Sequence, residues 1–322
     1  MLFVLLLFFV LFIGYYFIGF SKPSEDIEWG VNYSVKQAEF LKLDSKQTYL
    51  ALLDDLKVKN IKISVHWDLI EKEEGNFDFS ELDWQMQEAE KRGVEVILAI
   101  GMKTPRWPEC HLPDWTRNMN KADQQDRILR MLSVVVNRYK NNPALTGWQV
   151  ENETFLKFGA CPWIDPSFLR KEVKFVKEID KNRPVIITDT GELSLWLRSA
   201  AIGDIVGVTT YKTVWQDKLN FYFSYKFPAI YYERRAKLVN FLGKEVIGTE
   251  LQAEPWCKQS IMNASVDEQM VTMSLSQFRE NIDFAKRTGI KTFYFWGAEW
   301  WYWMKENQNH PEYWEEVRHL FQ

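Results

Sequence analysis

Thr146-Gly147-Trp148-Gln149-Val150-Glu151-Asn152-Glu153 is the stretch on which the reading of this chain turns. It starts as a short apolar run after Asn141-Asn142-Pro143, a turn signal that stops the preceding helix. A run of this kind suits a buried strand of a parallel sheet better than a half-exposed one. It closes on two acids and an amide. Alternate residues of a strand share a face, so Glu151 and Glu153 are expected to point the same way, Glu151 one layer deeper. In a barrel of alternating strands and helices the C-terminal strand ends form the active face, which is where Glu153 would sit.

Working outward, short apolar runs alternate with helical patterns eight times. The expected strands are Trp29–Tyr33, Ile61–Trp67, Val94–Ile100, the stretch above, Pro184–Asp189, Asp204–Tyr211, Lys244–Glu250 and Lys291–Gly297. Between them the spacing predicts helices, among them Lys46–Lys59, a single helix Asp267–Thr288 and a closing Pro311–Phe321. Neither a GxGxxG nor a P-loop interrupts the pattern. Eight rounds with no break predict one closed (β/α)8 barrel, a TIM barrel, over residues 28–322. Two expected loops are long, Gly101–Asn120 and Thr154–Pro166, and both are rich in aromatic residues.

The second informative strand is Lys244-Glu245-Val246-Ile247-Gly248-Thr249-Glu250. Val246, Gly248 and Glu250 would share one face, with the small glycine leaving room beneath the carboxylate. A lone acid at a strand end is as often a surface residue as a functional one. Two in matching positions, facing one cavity, suit the cleavage of a glycosidic bond, which needs one acid and one nucleophile or base. Glu254 competes with Glu250, but it precedes Pro255 in an extended loop, and a nucleophile needs rigid placement.

Composition agrees. The 322 residues carry a net charge of −4 with both signs interspersed, so nothing points to nucleic acid. The 15 Trp and the 16 % aromatic content exceed what a core requires, and flat rings in loops suit the apolar faces of sugars. The four His are scattered, without metal-ligand spacing, and no metal or cofactor is implied.

Trp148-Gln149-Val150-Glu151-Asn152-Glu153 resembles the strand-4 motif of clan A retaining glycoside hydrolases, where Asn-Glu carries the acid/base. The form is closest to the β-galactosidases of families 42 and 35. Thr249-Glu250 looks like the clan's strand-7 nucleophile, as in the family 5 cellulase-like enzymes. The resemblance implies catalytic roles for Glu153 and Glu250, a sugar 2-hydroxyl contact for Asn152, a phenol on the nucleophile from Tyr211, and a sugar platform in Trp296. His66 and Lys62 lie on strand 2, where the clan usually places an Arg. Trp67, Trp107, Trp256 and Trp300 are candidate outer platforms, at least one of them expected to be core. Transglycosylation by the same pair, or a non-catalytic carbohydrate-binding barrel, are the alternatives.

Leu2–Phe20 is an unbroken run of apolar or glycine residues, long enough to span a bilayer and lacking the basic start and small-residue cleavage site of a secretory signal. Residues 1–20 are therefore expected to be a transmembrane anchor, with a cleaved signal as the competitor, and 21–27 a tether. The catalytic domain is expected outside the cytoplasm. There Cys110 and Cys161, in loops after neighbouring strands, would be the pair to oxidise; three free thiols, Cys257 included, are the other outcome.

Overall fold

The computed structural model describes residues 13–322. Eight parallel strands close into a barrel: β1 (Glu28–Tyr33), β2 (Asn60–Ser64), β3 (Glu95–Ile100), β4 (Leu145–Val150), β5 (Val185–Thr190), β6 (Ile205–Thr210), β9 (Glu245–Gln252) and β10 (Thr292–Trp296). The remaining two, β7 (Thr213–Gln216) and β8 (Phe221–Ser224), form a separate antiparallel hairpin in the connection after β6. That hairpin lies in a stretch with no predicted element. The barrel floor is filled by Ile97, Ile186, Ile247 and Tyr294, while a larger apolar cluster packs the strands' outer faces against the helices.

Local chemistry explains the helix boundaries. Asp165 caps Pro166–Ile179, its carboxylate accepting from the amides of Ser167 and Phe168 at 2.9 and 3.1 Å. The expected helix Asp267–Thr288 is two, Val266–Met273 and Leu275–Arg287. Ser274 is extended between them and forms a reciprocal capping box with Gln277. Glu299–Trp303, which follows the last strand, lies inside a helix, Ala298–Asn307.

Strand alternation fails at the two places that matter most. β4 ends at Val150, and Glu151 and Glu153 take positive φ, 59° and 39°. In β9 the register shifts against both neighbours, between Val208 and Thr209 on one side and between Phe293 and Phe295 on the other. Ile247 therefore faces the barrel interior, and so does Glu250, three residues on. Gly248 does not lie beneath Glu250, as simple alternation requires. Phe293 presses against it from outside, and a Cβ there would come within 2.0 Å of that ring.

Cys110 and Cys161 are disulfide-bonded and join the two long loops, while Cys257 is free. The predicted transmembrane segment, Leu2–Phe20, falls mainly on residues 1–12, outside the described residues. Among the described residues no helix is long and apolar enough to cross a membrane. Residues 13–17 are helical, and Phe17 stacks on Tyr231 of the helix Ala229–Phe241 at 4.9 Å. The expected tether 21–27 is fastened to the barrel: the Ser24 amide donates to the Lys286 carbonyl, and Lys286 pairs with Glu25 at 2.6 Å.

Candidate active site

At the C-terminal end of the barrel, Glu153 and Glu250 are 7 % and 2 % exposed and lie close enough for each charge to act on the other. Glu153 is held through its amide, which donates to Thr188 Oγ1 at 2.7 Å, and through Oε1, which accepts from Thr209 at 2.7 Å. Burial raises its carboxyl to about 8, and the neighbouring Glu250 charge pushes in the same direction. Tyr211 donates its phenol to Glu250 Oε2 at 2.7 Å. The other oxygen, Oε1, has no hydrogen-bond partner, but the fully buried ammonium of Lys62 lies 3.5 Å from it. Burial lowers the Lys62 pKa and Glu250 partly restores it; its proton is also shared with Gln149 Oε1 at 3.0 Å. The cation that balances this carboxylate is thus a lysine rising from below, on the strand where the family resemblance leads one to expect an arginine.

Glu151 is not part of this cluster. Its positive φ turns the side chain outward, where it accepts the amides of Met102 and Lys103, both at 2.7 Å. Gly101 makes room for it, since a Cβ there would lie 2.3 Å from Glu151 Oε1. The carboxyl of Glu172, on the helix Pro166–Ile179, meets it in the dry space behind the sheet. Burial and the Glu151 charge push Glu172 well up, and burial raises Glu151 as well. This pair fixes the hinge between strand and loop that aims Glu153 inward.

Asn152 sits beside Glu153 with every polar atom engaged. Its Nδ2 donates to Glu109 at 3.2 Å, while Oδ1 accepts from Gln149 at 3.1 Å and from Thr188 at 3.3 Å. Glu109 is a third carboxyl in the cluster, raised to about 7 by burial, with Lys103 opposing and Glu250 adding to the rise. Its position next to the disulfide-bonded Cys110 is the sequence signal for it, and strand-end reasoning passes over it because it lies nine residues beyond the strand end at Ile100.

Its titration predicts a stability effect. Glu109 binds its proton more tightly folded than unfolded, so its burial costs nothing below about pH 4.5 and its full cost above about pH 7. Glu109→Gln keeps an acceptor for Asn152 and never ionises. Its melting temperature relative to wild type is expected to climb as pH rises from 4.5 to 7, by the equivalent of about 3 kcal/mol. A difference independent of pH, in paired thermal melts, would refute the assignment.

The predicted aromatic platforms divide. Trp67 and Trp300 are fully buried, their indole N–H groups donating to Glu71 and Gln269 at 2.7 Å each, and both are core. Trp107 is 70 % exposed, and with Phe158, Trp256 and Tyr211 it forms an arc of ring contacts at 6.4, 5.9 and 5.3 Å. Trp296 ends β10 as expected, but its face is already covered: the Arg106 guanidinium lies 3.8 Å from the ring centre. Arg106 also pairs with Glu254 and, at 3.0 Å, with Glu299. Both acids are ion-paired, but Glu254 has each oxygen engaged, by Arg106 and by Gln37 at 3.4 Å, whereas Glu250 Oε1 has no hydrogen-bond partner. His66 is buried with both ring nitrogens engaged, by Ser34 and Thr104 at 3.0 Å each, and burial holds it neutral. It supports the wall and offers the cavity no free nitrogen. Among the described residues no cluster could hold a metal ion.

The comparisons with known proteins follow this geometry. Residues 39–168 match the profile of glycoside hydrolase family 42, described as β-galactosidase. A β-galactosidase of Haloferax lucentense is 31 % identical over 104 residues, 27 % of this chain and 16 % of that protein. A β-galactosidase of Clostridium cellulovorans is 24 % identical over 171 residues, 47 % of this chain and 26 % of that protein. The chain thus spans about a quarter or less of the length of these curated relatives. In structure it is similar to xylanase 10B of Thermotoga petrophila, with a TM-score of 0.59 and 17 % identity over 92 % of this chain and 94 % of that one. The likeness in structure is one of fold, a (β/α)8 barrel, and the segment matched in sequence contains the Asn152-Glu153 motif.

Proposed function

We propose that the chain is a retaining glycoside hydrolase acting on β-glycosides, with β-galactosides as the first substrates to try. One observation carries the reading: two buried carboxyls share one space with opposite preparation. Glu153, raised to about 8, enters the reaction protonated and gives its proton to the leaving oxygen. Glu250 attacks the anomeric carbon through Oε1, the oxygen left without a hydrogen bond, while Tyr211 fixes Oε2 and Lys62 balances the charge. Deprotonated Glu153 then takes a proton from water, which releases the sugar with its original configuration. The aromatic arc from Trp107 to Trp256 lines the approach, where rings can stack on sugar faces. We also assign the domain to the outside of the cytoplasm, tethered through the apolar run that begins at Leu2; the Cys110–Cys161 bond suits an oxidising compartment.

Proton NMR during hydrolysis of aryl β-D-galactosides, with β-glucosides and β-xylosides in parallel, tests the mechanism. The β-anomer is expected first, turning into the equilibrium mixture later. Initial release of the α-anomer would overturn retention, and failure to turn over any of the three would overturn the hydrolase reading.

A further inference from the structure

The connection after β6 departs from the compact loops around it. In β8 Phe221 and Phe223 share one face of the hairpin, across from Gln216 and Val214 of β7, and are 43 % and 40 % exposed, and Leu219 at the turn is 65 % exposed. The opposite face is satisfied, with Tyr222 meeting Trp215 edge-on at 4.9 Å. The loop after β5 and the start of the helix Leu197–Ala200 that follows it expose Leu193, Leu195 and Leu197 at 61, 40 and 41 %. The helix Ala229–Phe241 ties this loop in, Tyr231 donating to the Glu192 carbonyl and Arg235 to the Ser194 carbonyl. Six of the fifteen large apolar side chains exposed among the described residues lie in these two segments. Scattered exposed leucines need no explanation, but an apolar surface spanning two loops does.

Its continuation identifies the occupant. Ring contacts run from Phe221 to Phe223 at 6.3 Å, to Tyr225 at 4.9 Å, to Phe227 at 6.4 Å, and on to Phe17 at 5.9 Å. Phe17 belongs to the apolar run that begins at Leu2, and the neighbouring Ile18 and Phe20 are 73 % and fully exposed. Residues 2–12, which precede this segment in the chain, are apolar throughout. Exposed Lys22, Lys218 and Lys226 border the surface, with Asp217 the one acid in the hairpin. Aromatic and leucine side chains rimmed by lysines are the composition that settles at a bilayer interface, rings among the acyl boundary and ammonium groups toward the phosphates.

We propose that hairpin β7–β8, with the loop Leu193–Leu197, is a lipid-facing surface that dips into the bilayer interface and holds the barrel mouth against the membrane. Both loops leave the C-terminal ends of their strands, so this surface adjoins the mouth. The proposal rests on the apolar run that begins at Leu2 being a membrane anchor, and the test separates the two.

The full chain carrying Cys257→Ser and Leu219→Cys, labelled at position 219 with an environment-sensitive nitrobenzoxadiazole dye, is reconstituted with vesicles of phosphatidylcholine and phosphatidylglycerol. The dye emission is expected to shift to the blue and to lose intensity when doxyl-labelled lipid is included. Adding Phe221→Ser and Phe223→Ser should abolish both effects while the protein still floats with the vesicles and unfolds cooperatively. Flotation with water-like emission sinks the hairpin proposal but leaves the anchor standing. A blue shift without doxyl quenching means that protein, residues 2–12 or a second copy, covers the hairpin. Quenching that survives loss of both rings equally overturns the proposal. No flotation at all overturns anchor and hairpin together.

Discussion

Glu250→Ala is expected to lower turnover of aryl β-glycosides by on the order of 10⁵–10⁶-fold, the size of loss seen when a covalent nucleophile is deleted. Added azide should then restore turnover, with the α-glycosyl azide as product, because a small anion can enter the space vacated by the carboxylate. The variant also leaves the ammonium of Lys62 buried with only Gln149 as partner, and an uncompensated buried charge of that kind costs about 3–5 kcal/mol. Glu250→Gln is therefore the companion: it preserves shape and an acceptor for Tyr211, cannot attack, and should be equally inactive while folding normally. Glu254→Ala is the informative contrast. That residue is paired with Arg106, so its loss should loosen the loop that covers Trp296 and raise KM, with no azide rescue. Rescue at Glu254, or less than about a tenfold loss at Glu250, would transfer the nucleophile's role or abolish it.

The barrel was legible because its signal is repeated. Eight short apolar runs separated by amphipathic stretches admit few other arrangements, and an error at one boundary does not alter the sum. Strand faces were less legible. Glu151 was assigned to the interior by alternation, which holds only while φ stays negative, and nothing in Val150-Glu151-Asn152-Glu153 announces two left-handed residues. The shift in β9 is equally silent in sequence, since it shows only in the pairing with the neighbouring strands, where Gly248 accommodates the ring of Phe293. Glu153 and Glu250 reach the cavity because two irregularities replace the two regular strand ends expected of them.

Loop residues were harder still. Arg106 and Glu109 depend on a loop whose course is set by the Cys110–Cys161 bond and by contacts to β9 and the helix Ala298–Asn307, none of which local propensity encodes. The tryptophans show the same limit from the other side. Trp67 and Trp300 each follow a strand closely enough to be platforms, and each is instead a core residue opening a helix, with its indole N–H satisfied inside the protein. An aromatic residue near a strand end reports proximity to the mouth, whereas its role depends on where its polar edge finds a partner.

Removing the general acid should discriminate between substrates. Glu153→Gln retains an acceptor for the Thr209 hydroxyl but has no proton to give, so hydrolysis of an alkyl or sugar leaving group should fall by about 10²–10⁴-fold. A dinitrophenyl leaving group departs as a stable anion and needs little protonation, so its release should fall by less than about tenfold. The pH profile follows from the same residue. Burial and the adjacent Glu250 charge hold the Glu153 carboxyl near 8, so the active acid is fully populated below that pH and is lost above it. In the wild type, kcat/KM for the poorer leaving group should fall on the alkaline side with a midpoint near 8. In Glu153→Gln that alkaline limb should be missing for the dinitrophenyl substrate, because no titrating acid remains. If the variant loses both substrates equally, or keeps the limb near 8, another group supplies the proton; Glu109, raised to about 7 in the same cluster, is then the next residue to replace.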